Sequence, residues 1–170
     1  MTDLATLWAA LPQLSNIHAS ADGAWAFWCL AGLNETENVW CAPLDGAAPP
    51  RRLTDGRDHF LIRDVAPDGS RLLLAQSINA NEHDHLFILD RDTGALTQIT
   101  PTQVTHYVYG GAFSADGSAV YFLADFDYGA DQVTEGAWLW RQDLSTGART
   151  CLAQADSPPH FYVGPLPSPD

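Results

Sequence analysis

Short apolar runs alternate with turn-forming clusters along the whole chain. "AWAFWCL", "RLLLAQ" and "AVYFLA" each follow an Asp-Gly pair, at Asp22–Gly23, Asp68–Gly69 and Asp116–Gly117. Asp-Gly between two apolar runs is the strongest short hairpin signal, because Gly takes positive φ without a Cβ clash. The runs are rich in aromatic, Leu and Val residues and are apolar at consecutive positions, as strands covered on both faces are. The pattern therefore predicts first strands ahead of each Asp-Gly and second strands at 24–30, 71–76 and 119–124. Third strands follow at 39–44, 85–90 and 137–143. Gly-containing turns, at Gly46, Gly94 and Gly147, lead into short fourth strands ending in "RRLT", "TQIT" and "RTCL".

Two landmarks repeat independently. The aspartates Asp22, Asp68, Asp116 and Asp170 are spaced by 46, 48 and 54 residues, and the glycines Gly46, Gly94 and Gly147 by 48 and 53. Four strands in a period of roughly 45 to 50 residues is the signature of a propeller blade. A β-sandwich is the competing all-β arrangement, but it has no reason to repeat its turn chemistry. The expected fold is thus all-β, a partial β-propeller of three four-stranded blades with a short N-terminal helix. The blades are placed at about 16–56, 60–101 and 108–153, and 160–170 reads as the first strand of a fourth. Leu4, Leu7, Trp8 and Leu11 recur at helical spacing ahead of Pro12, so residues 1–15 read as one amphipathic helix and a lead-in. Because the next expected residue after Asp170 is a turn Gly, the chain reads as part of a longer protein. Assembly of several copies into a ring is the alternative.

Charge narrows the partners. Acidic residues number 21 against 8 basic ones, for a net charge of -13, and all eight basic residues are Arg. Phosphate backbones would repel such a chain, so nucleic acid is not an expected partner. No apolar run approaches the roughly 18 residues of a membrane span, so no membrane partner is expected. No Lys or Arg precedes Arg51, which removes the basic region of a secretory signal and points to the cytoplasm. Cys29, Cys41 and Cys151 form no C-x-x-C pair. They read as buried apolar fillers, although Cys29 and Cys41 have the option of facing each other on neighbouring strands.

A catalytic constellation is not found. None of the nine serines has Gly two positions before it, so the G-x-S-x-G elbow of a serine hydrolase is missing. "YVYGG" lacks the spacing and the Lys of a phosphate-cradling loop. His83 and His85 point to one side of an extended chain, as two metal ligands would, but a polar loop entering a strand accounts for them. Asp125, Asp127, Asp131 and Glu135 hint at calcium, yet Ala130 stands where an EF-hand loop needs Gly. No cofactor or metal is therefore expected. Trp138, Trp140 and Tyr121 read as core between blades. In an up-and-down blade the first and third turns share one end. The second loops, about 77–84 and 125–136, lie at the other end and are longer, acidic and dissimilar. Variable loops on a rigid scaffold carry recognition. The candidate substrate- or partner-facing residues are accordingly Glu82, Asp84, Asp125, Asp127, Asp131 and Glu135.

The units "APDGSRLLLAQS…HLFILDRDTGALTQIT" and "SADGSAVYFLAD…WLWRQDLSTGARTCL" resemble blades of the prolyl oligopeptidase family of serine peptidases, above all its acylaminoacyl-peptidase and dipeptidyl-peptidase-like bacterial branch. The same blade pattern occurs in TolB-type propellers. The resemblance implies a ring of about seven blades followed by an α/β-hydrolase domain that carries a Ser-Asp-His triad and is absent from this chain. The propeller would then gate access for short or N-acylated peptides. No triad residue has a counterpart here, so none is assigned. The alternative is a non-enzymatic propeller scaffold of the TolB or WD-repeat kind. A homo-oligomer is also compatible with the sequence.

Overall fold

The computed structural model describes residues 13–31, 36–55, 59–77, 83–101 and 106–157. The proposed N-terminal helix, Glu82 and the start of a fourth blade lie outside them. Among the described residues there are twelve strands and no helix. They form three four-stranded antiparallel meanders, each in chain order. Blade 1 comprises β1 Gln13–Ala19, β2 Trp25–Ala31, β3 Asn38–Pro43 and β4 Arg51–Arg52. Blade 2 comprises β5 His59–Val65, β6 Arg71–Ser77, β7 Asp84–Asp90 and β8 Leu96–Gln98. Blade 3 comprises β9 Val108–Phe113, β10 Ala119–Asp127, β11 Gln132–Asp143 and β12 Arg149–Ala153.

The turns are built as the sequence dictates. Gly23, Gly69 and Gly117 have φ of 70°, 65° and 68°. At the third turns Asp90 Oδ1 accepts from the amides of Asp92 and Thr93 and from the Thr93 hydroxyl. Asp143 repeats this cap with Ser145 and Thr146. These hydroxyl and amide donors hold the Asp143 carboxyl down at about 2. A second repeated device sits at the opposite end, where the Thr54 and Thr100 hydroxyls accept from the amides of Val39 (3.0 Å) and Leu86 (2.8 Å).

Successive side chains of a strand point to opposite faces, and blade 2 uses both. Leu72, Leu74, Phe87 and Leu89 join Phe27, Cys29, Val39 and Cys41 of blade 1 in one core. Leu73, Ala75, Leu86 and Ile88 join Val120, Phe122, Ala124 and Trp140 of blade 3 in the other. The first strands β1, β5 and β9 meet across blades. The sheets therefore fan out from their first strands, the arrangement of a propeller arc and the reverse of a stacked sandwich. Side chains stitch that inner edge: Asn16 Oδ1 accepts from the Ile62 amide, and Asp64 Oδ2 accepts from the Phe113 amide at 2.7 Å. Arginines stitch it further out. Arg71 donates to the Gly117 carbonyl of the next blade at 2.8 Å, and Arg91 lies 4.2 Å over the Trp25 ring of the previous one.

Cys29 and Cys41 are buried and free. They share a face, but Cys29 pairs with Val39 and Cys41 with Phe27, so they sit diagonally and serve as core fillers. Trp140 belongs to the core between blades 2 and 3 and Trp138 packs against it, whereas Tyr121 points to the opposite face of blade 3.

Two substitutions probe this packing by urea unfolding. Leu73→Ala is expected to lower stability by about 2–5 kcal/mol, because the fully buried side chain leaves a cavity between two blades. Gly69→Ala is expected to lose about 1–2 kcal/mol from its left-handed backbone alone, and its Cβ would also lie 2.8 Å from Ser20 Cβ.

Candidate functional site

Antiparallel meanders put the β1–β2 and β3–β4 type turns at one end of the arc and the other connections at the opposite end. The first end is uniform. The second gathers the unusual side chains. Asp84 opens β7 and forms an ion pair with Arg63 of β5, both largely buried. Beside it the His83 ring stacks on Tyr107 at 4.3 Å, and Tyr107 on Tyr109 at 6.0 Å. Asp125 closes the group: its Oδ1 accepts from the Tyr107 amide at 2.6 Å. Burial pushes the Asp125 carboxyl above the usual range, against the pull of that amide. Burial likewise raises the Tyr109 hydroxyl, with the Asp125 charge adding to it. At the junction of blades 1 and 2 the same end holds Glu37, which accepts from Ser15 at 2.8 Å and pairs with His59 at 3.0 Å. Because Tyr107 remains 41% exposed, the aromatic stack presents a ring to solvent beside a carboxylate.

Two of the expected acidic residues, Asp84 and Asp125, thus join this group, and three others do not. Segment 125–136 is a hairpin rather than the loop expected from its polar residues: β10 and β11 run on, with Phe126 paired to Val133 and Asp127 to Gln132. Asp127 Oδ1 accepts from the Gly129 and Ala130 amides and so caps the turn. Asp131 is exposed there at φ 56°, and Glu135 is exposed in the irregular stretch that follows. A Cβ on Gly136 would lie 1.8 Å from the Ala155 carbonyl oxygen, so only glycine lets segment 155–157 pass.

The hairpin is held by Tyr128. Its ring meets Phe122, Phe126 and Trp140 edge-on at 5.9, 5.1 and 5.1 Å, and the Arg149 guanidinium lies 4.4 Å over it. Its hydroxyl is 3.0 Å from His106 Nε2. His106 is fully buried, stacks on Phe126 at 4.7 Å, and its Nδ1 has no hydrogen-bond partner among the described residues; the same is true of Nδ1 of the buried His85. Burial depresses the His106 pKa to about 4, with the nearby charges of His85, His83 and Arg149 adding to the effect. His83 and His85 do not form the ligand pair considered from spacing: one stacks at the surface and the other is core. Among the described residues no group of three or more His, Cys, Asp or Glu side chains is placed to hold a metal ion.

Sequence reasoning missed Arg63, Tyr107, Tyr109 and the His106–Tyr128 pair. "VTHYVYG" and "FDYG" show the residue types, but the partners outside these segments are 18 to 24 positions away and no local period marks them.

No family model matches the chain, and no curated protein matches it either. Solved structures do. A TolB-like protein from Agrobacterium tumefaciens superimposes with a TM-score of 0.61 and 19% identity, over 82% of this chain and 46% of its own. The β-propeller domain of the Trilobed protease from Pyrococcus furiosus gives a TM-score of 0.61 and 14% identity, over 86% and 43%. A puromycin hydrolase gives 0.57 and 20%, over 83% and 22%. The chain thus spans less than half the length of these structures. At these identities the likeness establishes the fold.

Acid should weaken the His106 region in a defined window. An unfolded imidazole titrates near 6.5, whereas folded His106 stays neutral to about 4. Between those values the unfolded chain binds the extra proton, so stability is full above the window and falls as pH is lowered through it. His85 and His18, also depressed chiefly by burial, act in the same direction, while the raised Asp125 opposes them at the acid end. Urea midpoints measured from pH 7 to 4.5 should decline, and His106→Phe should flatten the decline.

Proposed function

We propose that these three blades form part of the substrate-gating propeller of a cytoplasmic serine peptidase that hydrolyses short or N-acylated peptides, working with an α/β-hydrolase domain elsewhere in the protein. The observation that carries this reading is the gathering of the exposed Tyr107 ring, Asp125 and the Arg63–Asp84 pair at the end of the arc opposite the uniform turns. Aromatic faces and a fixed carboxylate suit an extended peptide, whose backbone and amino groups offer donors and whose side chains offer apolar contact. A rigid arc with a crowded mouth passes such chains and excludes folded proteins. The propeller likeness, which includes a protease and a hydrolase, supports the reading. Chemistry belongs to the other domain, so no bond-making step is assigned to residues here.

The TolB likeness favours a second reading, a propeller scaffold that binds another protein through the same end. One experiment separates them. The full-length protein is assayed with chromogenic N-acyl peptides, as wild type and as Asp125→Ala and Tyr107→Ala. The peptidase reading expects turnover, with kcat/KM lowered about 10-fold by each substitution, the size of one lost charge-assisted contact for Asp125 and of one lost aromatic contact for Tyr107. Absence of turnover by the wild-type protein overturns it and leaves the scaffold reading standing.

A further inference from the structure

Blades 2 and 3 share one register around their third turns, and one pair of positions breaks the pattern. In blade 2 Leu89 and Leu96 are cross-strand partners beside the turn, and Leu89 is buried in the core shared with blade 1. Counted from the turn glycines Gly94 and Gly147, the same two positions of blade 3 hold Gln142 and Arg149. They too are cross-strand partners, and Arg149 donates to the Ile99 carbonyl of blade 2. An apolar pair has thus become an amide and a cation at a junction between sheets. Taking a guanidinium out of water costs free energy unless an anion meets it.

No anion of the protein meets this one. Arg149 is half-buried and forms no ion pair with a carboxylate among the described residues. Its Nε donates to Gln142 Oε1 at 2.8 Å, its Nη2 to Ile99, and one face lies on the Tyr128 ring. Nη1 donates to no group among the described residues. Burial pushes the guanidinium below its ordinary pKa, and the Tyr128 hydroxyl acts against that shift. Arg91, which also joins two blades, differs: Asp92 lies 2.9 Å from its Nε.

Space for a missing anion lies beside Arg149. Tyr128, Gly129, Trp140, Gly147 and Arg149 line an open cavity of about 310 Å³. A Cβ on Gly147 would meet nothing within 4 Å, so the turn leaves the entrance clear. Gly147 also borders a second cavity of about 500 Å³ between the outer strands of the two blades. Ile88, Ile99 and Leu144 supply its apolar wall, and Thr97, Gln98 and Gln142 its polar one. Arg71 and Asp90 both border it, so this second part favours neither sign of charge. The two volumes are those of small-molecule clefts.

We propose that this groove between blades 2 and 3 binds a monocarboxylate, its carboxylate on Arg149 Nη1 and its neutral, partly apolar body toward Ile99 and Leu144. The planar guanidinium suits a planar carboxylate. The net charge of -13 disfavours a dianion such as phosphate. A free organic acid and the C-terminus of an extended peptide offer the same group. The groove uses none of the residues assigned to gating, so the inference does not rest on the peptidase reading.

Calorimetric titration of the full-length protein tests this, with any serine nucleophile first blocked by phenylmethanesulfonyl fluoride. The probes are N-acetyl-leucine, acetyl-Ala-Ala-Ala-Leu, the C-terminal amide of that peptide, and inorganic phosphate. Saturable binding of at least one acid is expected, about 10-fold weaker in Arg149→Leu, the size of one charge-assisted contact. Arg149→Leu restores the apolar pair of blade 2, so circular dichroism should be unchanged, and Arg149→Lys should retain part of the affinity. The amide should bind as weakly to the wild type as the acids do to Arg149→Leu, a comparison that needs no variant to fold. A peptide that binds more tightly than N-acetyl-leucine marks a peptide C-terminus as the ligand, and equal affinity marks a small acid. Absence of saturable binding of either acid overturns the proposal. So does an amide or phosphate that binds as tightly as the acids, or unchanged binding by folded Arg149→Leu.

Discussion

The fold depends on a sheet that is apolar on both sides. In blade 2 the consecutive residues Leu72, Leu73, Leu74 and Ala75 are all buried, and they face alternately toward blades 1 and 3. A strand with a single buried face would alternate with polar residues; across these four positions there is no polar residue to offer water. It is stable only between two other sheets, and each neighbour faces the same demand. The demand propagates outward until something else covers a face. Burial, rather than any single contact, accordingly makes the arc. The hydrogen bonds of Asn16 and Asp64 set the spacing of first strands, and Arg71 and Arg91 fix neighbouring turns.

The arc also explains why the two ends differ. Close to the Asp-Gly turns, each blade must fit against the previous one, so glycine and short caps recur. The opposite end is free of that constraint. There the connections diverge, and polar groups collect where the backbone no longer packs: Arg63 with Asp84, Glu37 with His59, and Asp125 under the Tyr107 stack. The folded-back hairpin is the most divergent piece. Tyr128 spends its aromatic surface on Phe126 and Trp140 and its hydroxyl on His106, joining a loop of blade 2's far end to blade 3.

Much of this was legible in the chain. Asp-Gly pairs marked the first turns because few other dipeptides satisfy that backbone, and Gly46, Gly94 and Gly147 marked the third. Apolar runs gave the strands and, by having no polar face, the burial on both sides. The candidate site was only partly legible. Asp84 and Asp125 could be singled out as acidic residues in variable connections. Their settings could not, because Arg63 and Tyr107 reach them from other strands of the same blade, 21 and 18 positions away. Segment 125–136 misled for the same reason: its polar residues look like a loop, and only the buried side of Tyr128 and Phe126 makes it a hairpin.

Native-state hydrogen exchange on the 170-residue chain tests the account most directly. If burial on both faces governs stability, amides of β6 and β7 should be the slowest to exchange, β10 next, and those of β1 and β12 the fastest among the strands. Equal protection of all three blades, or protection highest in blade 1, would contradict it.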